Sequence, residues 1–382
     1  MRLMLRQDVF LLVILCRLGL ALGESRVAVN RVTLDPGFQI SIYAEGVKEA
    51  RSMTRSPSGT VFVGTRQEGR LYALVDRDGD HRAEAVITLA TGMTMPSGVA
   101  FHGNSLYVAE VNRILRYPGI DLRLEDPPEP EVVNDGLPSD RWHGWKFIAF
   151  GPDGRLYVPV GAPCNICEKA DSHYATILRM NPDGSDLEIF SSGVRNTVGF
   201  DWHPVTRELW FTDNGRDWLG ENIPPDELNR APHQGIHFGF PYCHGGYLSD
   251  PEFGTRRPCS EFQPPALNLA AHVAALAAHF YEGNLFPSRY LHQLFVVEHG
   301  SWNREIPVGY RVMLIEFSGD GRPVNYRVFA EGWLQGKAAW GRPVALLELP
   351  DGSLLLSDDK ADVVYRIRYE RPGEAAQISK SP

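Results

Sequence analysis

Six times along this 382-residue chain, a short polar turn is followed by a strand of the same apolar shape. Pro, Asp, Gly and Ser dominate most of these turns, as in Pro152-Asp153-Gly154. The strands begin Val61-Phe62-Val63, Leu106-Tyr107-Val108, Leu156-Tyr157-Val158, Leu209-Trp210-Phe211, Leu294-Phe295-Val296 and Leu354-Leu355-Leu356. A repeat of this kind indicates one supersecondary unit copied around a ring. Rings of this type bind ligands at one mouth of a central channel.

The spacing of the repeats matches the size of a propeller blade. Successive strands start 45, 50, 53, 85 and 60 residues apart, and a four-stranded blade needs about 40–50 residues. The long fourth interval contains residues 223–225, the stretch between Cys243 and Cys259, and an Ala-rich run over 268–278. We interpret this interval as loops inserted on one face, and not as a second domain.

A second strand follows each repeated strand, and no long amphipathic helical pattern competes with it. The early segment 38–43 alternates like a strand and has no partner nearby. We expect it to join the last blade and close the ring, which removes two exposed edges. The sequence therefore predicts an all-β, six-bladed β-propeller over residues 30–370, followed by a polar, disordered tail at 371–382.

The first 23 residues have the pattern of a signal peptide. Arg2 and Arg6 precede an apolar run at 9–16 that is too short to span a bilayer, and Ala21-Leu22-Gly23 suits cleavage. This predicts a periplasmic or secreted protein with no stable membrane insertion after cleavage. An uncleaved anchor is the alternative.

The cysteines indicate disulfides. Loss of the signal removes Cys16 and leaves Cys164, Cys167, Cys243 and Cys259, an even number in an exported chain. A zinc or redox role for Cys164-x-x-Cys167 is less favoured, because one pair supplies two of four zinc ligands and no βαβ pattern surrounds it. We expect pairs 164–167 and 243–259, although sequence leaves the connectivity open.

The net charge of −9 argues against a nucleic-acid partner, since phosphate binding needs a basic face. Any anionic ligand must therefore meet a local basic cluster.

The run Asp76-Arg77-Asp78-Gly79-Asp80 lacks the glycine and glutamate that complete an EF-hand calcium loop, so we interpret it as a turn between strands.

Four polar segments fall at corresponding points of successive blades. They are residues 142–147, 193–196, 298–304 and 340–343, and they carry His143, Arg195, Asn196, Arg304 and Arg342. Singly, each has an ordinary structural interpretation, such as a surface histidine or a solvated ion pair. Together, convergent arginines suit a ligand with several carboxylates, and a histidine beside them suits a general base.

These segments resemble the soluble quinoprotein sugar dehydrogenases, the glucose/sorbosone dehydrogenase family. His143 followed by 150–158 is similar to that family's catalytic-histidine segment, and Gly193-Val194-Arg195-Asn196 to its Arg-Asn pair. Residues 213–216 and 226–229 resemble its metal-binding stretch. Residues 238–242 and 341–359 look closest to the sorbosone dehydrogenase-like branch. The resemblance runs in order through nearly all of the chain after the signal.

The resemblance implies the cofactor pyrroloquinoline quinone (PQQ), a planar tricarboxylate, with Ca²⁺ bound to it. His143 would take the proton of a sugar's anomeric hydroxyl while hydride passes to the quinone C5. Arg195 would stabilise charge on the C5 oxygen, and Asn196 would hydrogen-bond the cofactor. Arg304 and Arg342 would hold its carboxylates.

The same resemblance implies that backbone oxygens of Gly215 and Arg216 bind the Ca²⁺. Three differences from the glucose-type enzymes stand out. Trp142 replaces an aspartate beside the histidine, Arg216 replaces a proline, and the interval from Gly215 to Asp226 is longer.

The predicted activity is oxidation of an aldose or sugar aldehyde, with a soluble cytochrome or quinone-linked carrier as electron acceptor. Two alternatives share the fold. One is a metal-dependent lactonase or hydrolase that recruits Asp213, Asn214, Glu298 and His299. The other is a non-catalytic propeller that binds carbohydrate or protein, because a fold alone does not define a function.

Overall fold

The computed structural model describes residues 27–370, and these residues form a six-bladed β-propeller, as predicted. The predicted signal peptide (1–23), with Cys16, and the predicted tail (371–382) lie outside the described residues. Most blades have four antiparallel strands. From the channel outwards, blade one contains Ala50–Arg55, Val61–Thr65, Leu71–Val75 and Ala85–Ala90; blade two Gly98–His102, Ser105–Ala109, Ile114–Pro118 and Glu131–Asn134; and blade three Ala149–Phe150, Leu156–Val160, Thr176–Met180 and Glu188–Ser192.

The second half of the ring has the same plan. Blade four contains Phe200–Trp202, Leu209–Asp213, Glu227–Ala231 and Leu267–Asn268; blade five Ala275–Phe280, Leu294–Glu298, Arg311–Phe317 and Pro323–Glu331; and blade six Pro343–Glu348, Leu354–Asp358, Val363–Tyr369 and Phe38–Glu45. Ile236–His237 adds to blade three and Thr33–Leu34 to blade five. Two short hairpins pair Cys243–His244 with Leu248–Ser249 and Leu334–Gln335 with Ala338–Ala339.

The described helices are all single 3₁₀ turns: Val29–Arg31, Ile120–Leu122, Cys259–Glu261 and Ser288–Tyr290. Across residues 27–370, none of them has the length and apolar character needed to cross a membrane.

The ring closes as the sequence predicts. Phe38–Glu45 pairs antiparallel with Val363–Tyr369 and becomes the outer strand of blade six. The preceding residues Thr33–Leu34 pair with Pro323–Glu331 of blade five. The N-terminal segment therefore links blades five and six. Val363–Tyr369 and Pro323–Glu331, which would otherwise be edge strands of these blades, each gain a partner strand.

The repeated apolar strand is the second strand of each blade, and a separate strand lies inside it at the channel. One prediction for the long fourth interval is wrong, because the Ala-rich run is not inserted loop. Instead Leu267–Asn268 is the outer strand of blade four, and Ala275–Phe280 is the innermost strand of blade five. Small side chains fit here because inner strands of neighbouring blades crowd around the channel.

Alternation within the repeated strand explains why it is apolar at every position. In blade three, Leu156 and Val158 pack in the core shared with blade two, while Tyr157 packs in the core shared with blade four. In blade four, Trp210 likewise points to the core shared with blade five. Because both faces of each blade are covered, successive side chains are all buried. The described residues form six such cores, one at each junction between blades.

Strand direction places two kinds of residue at the same mouth of the channel. The first strand of each blade runs away from this mouth, and the second strand returns to it. Residues just before a first strand, such as Arg342, and residues just after a second strand, such as His299, therefore converge there. We call this the site mouth.

A half-buried histidine links three blades near the opposite end of the channel. His279 on blade five lies 3.2 Å from Asp201 of blade four and 3.6 Å from Glu348 of blade six. Although burial opposes its protonation, hydrogen bonds and charge from these carboxylates raise the pKa of His279 to about 9.

We expect the His279→Gln variant to lose a pH-dependent part of the folding stability. Because the folded pKa exceeds the unfolded value of about 6.5, the ion pairs stabilise the fold fully below pH 6.5 and fade as the pH rises through 9. The difference in unfolding free energy between native protein and variant should fall by about 2–3 kcal/mol over this window. Urea unfolding at a series of pH values measures it. The exposed His233, mutated to Gln, is the control, because it forms no ion pair within residues 27–370.

Candidate active site

A cavity of about 580 Å³ opens at the site mouth. Its described wall comes from five blades and the loops that join them, and blade two contributes no residue to it. The charged and polar members of the wall are Arg51, Arg66, Arg141, His143, Arg195, Asn196, Asn214, Asp217, Asp226, His272, His299, Asn303 and Arg342. Three tryptophans, Trp142, Trp145 and Trp302, complete much of the surface.

His143 stands in the loop that leads into blade three, and its ring is held from both sides. Nδ1 lies 2.7 Å from the backbone oxygen of Ala162, so Nδ1 carries the proton. A Cβ on Gly161 would come within 2.6 Å of the His143 Cβ, so glycine is required for this close approach. Burial and the nearby Arg195 charge lower the pKa of His143 to about 3, which keeps Nε2 unprotonated at neutral pH.

Trp142 covers the remaining nitrogen of His143. Its indole Nε1–H donates to His143 Nε2 at 3.1 Å. The indole is 57% exposed, so little packing holds it in place. A substrate hydroxyl that gives its proton to Nε2 must therefore displace this indole hydrogen bond.

We expect Trp142→Phe to raise kcat/KM by several-fold, because a net hydrogen bond of about 1 kcal/mol no longer competes for Nε2. Steady-state dye reduction measures the change. Trp302→Phe is the matched control, since Trp302 is also exposed and lines the cavity, yet it touches Trp218 and not His143. A larger loss of activity in Trp142→Phe than in the control would contradict this expectation.

Asp213 holds the backbone of Arg195 and Asn196 in place. Its two carboxylate oxygens accept the backbone N–H groups of Arg195 at 2.7 Å and Asn196 at 2.6 Å. Both side chains are buried in the cavity wall. The pair is therefore held by a residue on the neighbouring strand, at the end of Leu209–Asp213.

Asn165 holds the Arg195 guanidinium, and sequence reasoning missed it. The backbone oxygen of Asn165 accepts from Arg195 Nε at 2.9 Å, and its Oδ1 accepts from Nη2 at 2.9 Å. Asn165 lies inside the Cys164–Cys167 disulfide, one of the two predicted pairs, and both pairs are present. The short disulfide loop therefore positions Asn165 against Arg195. In the sequence, the only indication of this role is that Cys164 and Cys167 flank Asn165 and Ile166.

A buried carboxylate joins three cavity residues from three blades. Asp359 accepts from Arg51 at 3.0 Å, from Arg342 at 2.6 Å and from His299 at 3.1 Å. Burial alone would raise the pKa of Asp359, but these partners hold it well below its usual range. Burial lowers the pKa of His299 to about 4, so His299 donates as a neutral ring at pH 7. Arg51 and Arg342 thus share the Asp359 carboxylate, and this group of side chains keeps one net positive charge.

The opposite wall is rich in oxygen atoms. Asn214, Gly215, Asp217 and Asp226 line it, and the Oδ1 atoms of Asn214 and Asn303 are buried without a hydrogen-bond partner among the described residues. Burial raises the pKa of Asp226 to about 6. Burial and the Glu227 charge likewise raise the pKa of Asp213 to about 8. Asp226 forms no ion pair within residues 27–370, and a carboxylate beside unpartnered amide oxygens is a donor set that suits a hard cation such as Ca²⁺.

Two predicted residues lie outside the cavity wall. The Arg216 side chain turns into the inserted loop, where it pairs with Asp250 at 2.6 Å and Glu252 at 3.1 Å. Arg304 donates to the backbone oxygen of Ala271 at 3.3 Å and to Asn222 at 3.2 Å. The structure brings His143, Arg195, Asn196, Gly215 and Arg342 together but does not bring Arg304 to them.

Only two of the four residues that the hydrolase alternative requires line the cavity. Asn214 and His299 line the cavity, but Asp213 and Glu298 do not. Glu298 is fully buried and binds Arg311 at 2.6 Å and the hydroxyl of Tyr326. These four groups therefore do not converge on one point of the cavity wall.

Blade one supplies two arginines that sequence reasoning missed. Arg51 stands near the start of Ala50–Arg55, and Arg66 directly follows Val61–Thr65. Arg66 has the same position relative to its strand as Asn214 and His299 have to theirs. The rule that polar residues after a second strand reach the site mouth would have found it.

Comparison with known proteins identifies the family. The family model described as TrAA12-like matches residues 32–370, and the chain belongs to this family. A protein of Borreliella burgdorferi, described as uncharacterized, is 33% identical over 358 residues, which cover 88% of this chain and 90% of that protein.

Two solved structures share the fold at 19% identity. The holo form of the pyranose dehydrogenase PQQ domain from Coprinopsis cinerea superposes with a TM-score of 0.76 over 88% of this chain and 97% of that chain. The calcium structure of the Trichoderma reesei carbohydrate-active enzyme of family AA12 gives 0.74 over the same shares. The predicted relationship to quinoprotein sugar dehydrogenases is confirmed, whereas the sorbosone dehydrogenase-like branch stays a prediction.

Proposed function

We propose that this protein is a sugar oxidoreductase that uses PQQ and Ca²⁺ to oxidise an aldose or a sugar aldehyde. One observation carries the proposal: a single cavity holds a basic wall, an oxygen-rich wall and an unprotonated histidine. Membership of the TrAA12-like family and the names of the similar structures support the same class of activity.

The basic wall fits a planar tricarboxylate. Arg342 binds Asp359 through Nε alone, and in residues 27–370 its terminal nitrogens have no partner, so they are free for a ligand carboxylate. Arg195 and Asn196 lie on the next part of the wall. Bidentate pairing with carboxylates is the interaction that arginine makes best.

The oxygen-rich wall fits Ca²⁺, with Gly215, Asn214, Asp217 and Asp226 as the residues that would hold it. When bound, PQQ supplies the hydride acceptor and Ca²⁺ supplies Lewis-acid polarisation. The protein's own residues then orient the sugar, exclude water and move one proton.

His143 is the group placed to take that proton. Its Nδ1–H is fixed on Ala162, so Nε2 is the accepting atom. Arg195, held by Asn165 and Asp217, presents fixed positive charge beside it. Such preorganised charge stabilises a developing anion without further rearrangement.

Reconstitution tests the proposal. Purified protein is titrated with PQQ in the presence and absence of Ca²⁺, and dye reduction is assayed with a panel of aldoses and sugar aldehydes. We expect saturable cofactor binding and Ca²⁺-dependent turnover. A protein that neither binds the quinone nor oxidises any sugar does not have this function, and lactone hydrolysis without the quinone would favour the hydrolase.

We also propose that the protein is exported, as the first 23 residues predict, and that a soluble cytochrome or quinone-linked carrier reoxidises it. The sorbosone-type substrate belongs to this proposal as well. Its resemblance lies in residues 238–242 and 341–359.

A further inference from the structure

Two arginines of the cavity wall have no carboxylate partner. Arg51 and Arg342 bind Asp359, and Arg195 binds Asp217. Arg66 and Arg141 also line the cavity, but within residues 27–370 neither forms an ion pair. Their charge therefore remains available to a ligand.

Arg66 is the better placed of the two, because a tryptophan holds its guanidinium. The guanidinium carbon lies 5.2 Å from the centre of the Trp145 ring, a cation–π contact. Arg66 Nε and Trp145 Nε1 are both buried, and neither has an acceptor in the described part of the chain. A buried donor without an acceptor is destabilising by about 1–3 kcal/mol. Two adjacent orphaned donors on one wall are a place where an anionic acceptor would be stabilised.

The two unpartnered donors, Arg66 Nε and Trp145 Nε1, lie next to His143, the proposed base. The Trp145 ring is 6.2 Å from the His143 ring, and Arg66 stacks on that same Trp145 ring. His143 and Arg66 thus both lie against the Trp145 ring, so a hydroxyl and a carboxylate on one sugar ring can be directed to the two residues. The wall formed by Arg51, Arg342 and Asp359 is a separate basic group, whose unshared charge is available to the cofactor.

We propose that the substrate is an acidic sugar, a pyranose that carries a carboxylate, and that Arg66 binds this carboxylate while His143 takes the hydroxyl proton. This inference rests on the proposed function. Arg66 has no part in the chemical step, so it acts as a specificity residue. The neutral sugar of the same shape would leave its charge without a partner, and selectivity arises from that difference.

The test compares two sugars that differ only at C6, D-galacturonate and D-galactose, on the PQQ- and Ca²⁺-loaded protein. We expect kcat/KM for galacturonate to exceed that for galactose by about 10- to 100-fold, the range of one charge-assisted hydrogen-bond pair. Arg66→Gln should remove this preference, and Arg66→Lys should restore part of it. PQQ titration of Arg66→Gln should match the native protein, whereas Arg342→Ala should weaken cofactor binding.

The outcomes separate this inference from the proposed function. Equal oxidation of both sugars by the native protein overturns the inference and leaves the function intact, and this comparison does not depend on any variant folding. Weaker PQQ binding in Arg66→Gln also overturns it, because Arg66 would then belong to the cofactor site. If neither sugar is oxidised, the wider sugar panel and PQQ titration decide the proposed function, and calorimetric titration with the two sugars decides the inference alone. Tighter binding of galacturonate that Arg66→Gln abolishes supports it, and equal binding overturns it.

Discussion

We expect His143→Ala to lose turnover by about 10²- to 10⁴-fold, the usual contribution of a positioned general base, and to bind PQQ as tightly as the native protein. The reason is geometric. Nε2 is the one ring nitrogen not committed to Ala162, and His143 lines a cavity in which Arg195 and Arg342 belong to other loops. Removing the ring deletes the proposed proton acceptor but leaves Arg195, Asn196 and Arg342 in place.

Dye-reduction kinetics and PQQ titration on the same preparation measure the two effects. His237→Ala is a suitable control, because burial and the Arg257 charge also lower its pKa to about 4, yet it lies outside the cavity. Full activity in His143→Ala would show that another group accepts the proton. Because the pKa of His143 is about 3, its ring stays neutral from pH 5 to 8, and its ionisation should not shape the rate profile there.

Asp359→Asn should destabilise the folded protein by about 3–5 kcal/mol, since breaking a buried ion pair leaves an uncompensated charge. The side chain of Arg51 is 5% exposed and that of Asp359 is 1% exposed, so water cannot replace the lost carboxylate. The carboxylate also joins blades one, five and six, where the ring closes. Urea unfolding followed by fluorescence and circular dichroism measures the change.

The matched control is Glu131→Gln, which breaks an exposed pair with Arg116 and should change stability by at most about 1 kcal/mol. The pH dependence gives a second check. Because the pKa of Asp359 is depressed in the folded state, its contribution is complete above about pH 4 and is lost as the pH falls toward the folded value. The gap between native protein and variant should therefore shrink in acid. Equal unfolding free energies at pH 7 would show that Asp359 does not stabilise the closure.

The second strand of each blade was predictable because both of its faces are buried, which leaves a continuous apolar signature. The innermost strand was not, because it is short or rich in small residues, as in Ala149–Phe150 and Ala275–Phe280. His143, Arg195 and Arg342 were found from their positions beside the predicted strands. Arg66 also directly follows the second strand of its blade. A single arginine at such a position does not by itself predict a binding site, and only the cavity shows which groups lack a partner.

The sequence by itself determined the number of blades, the closing strand, the even set of cysteines after the predicted signal and the local basic cluster in an acidic protein, because these depend on periodicity, cysteine count and charge. Only the tertiary structure decided which polar residues meet and which remain unpaired. It turned Arg216 toward Asp250 and Arg304 toward Asn222, bound Arg195 to Asn165, and left Arg66 without a carboxylate partner among residues 27–370. The physical reason is that a repeat places loops at a common mouth, whereas the direction of each long side chain is determined by the partners that surround it.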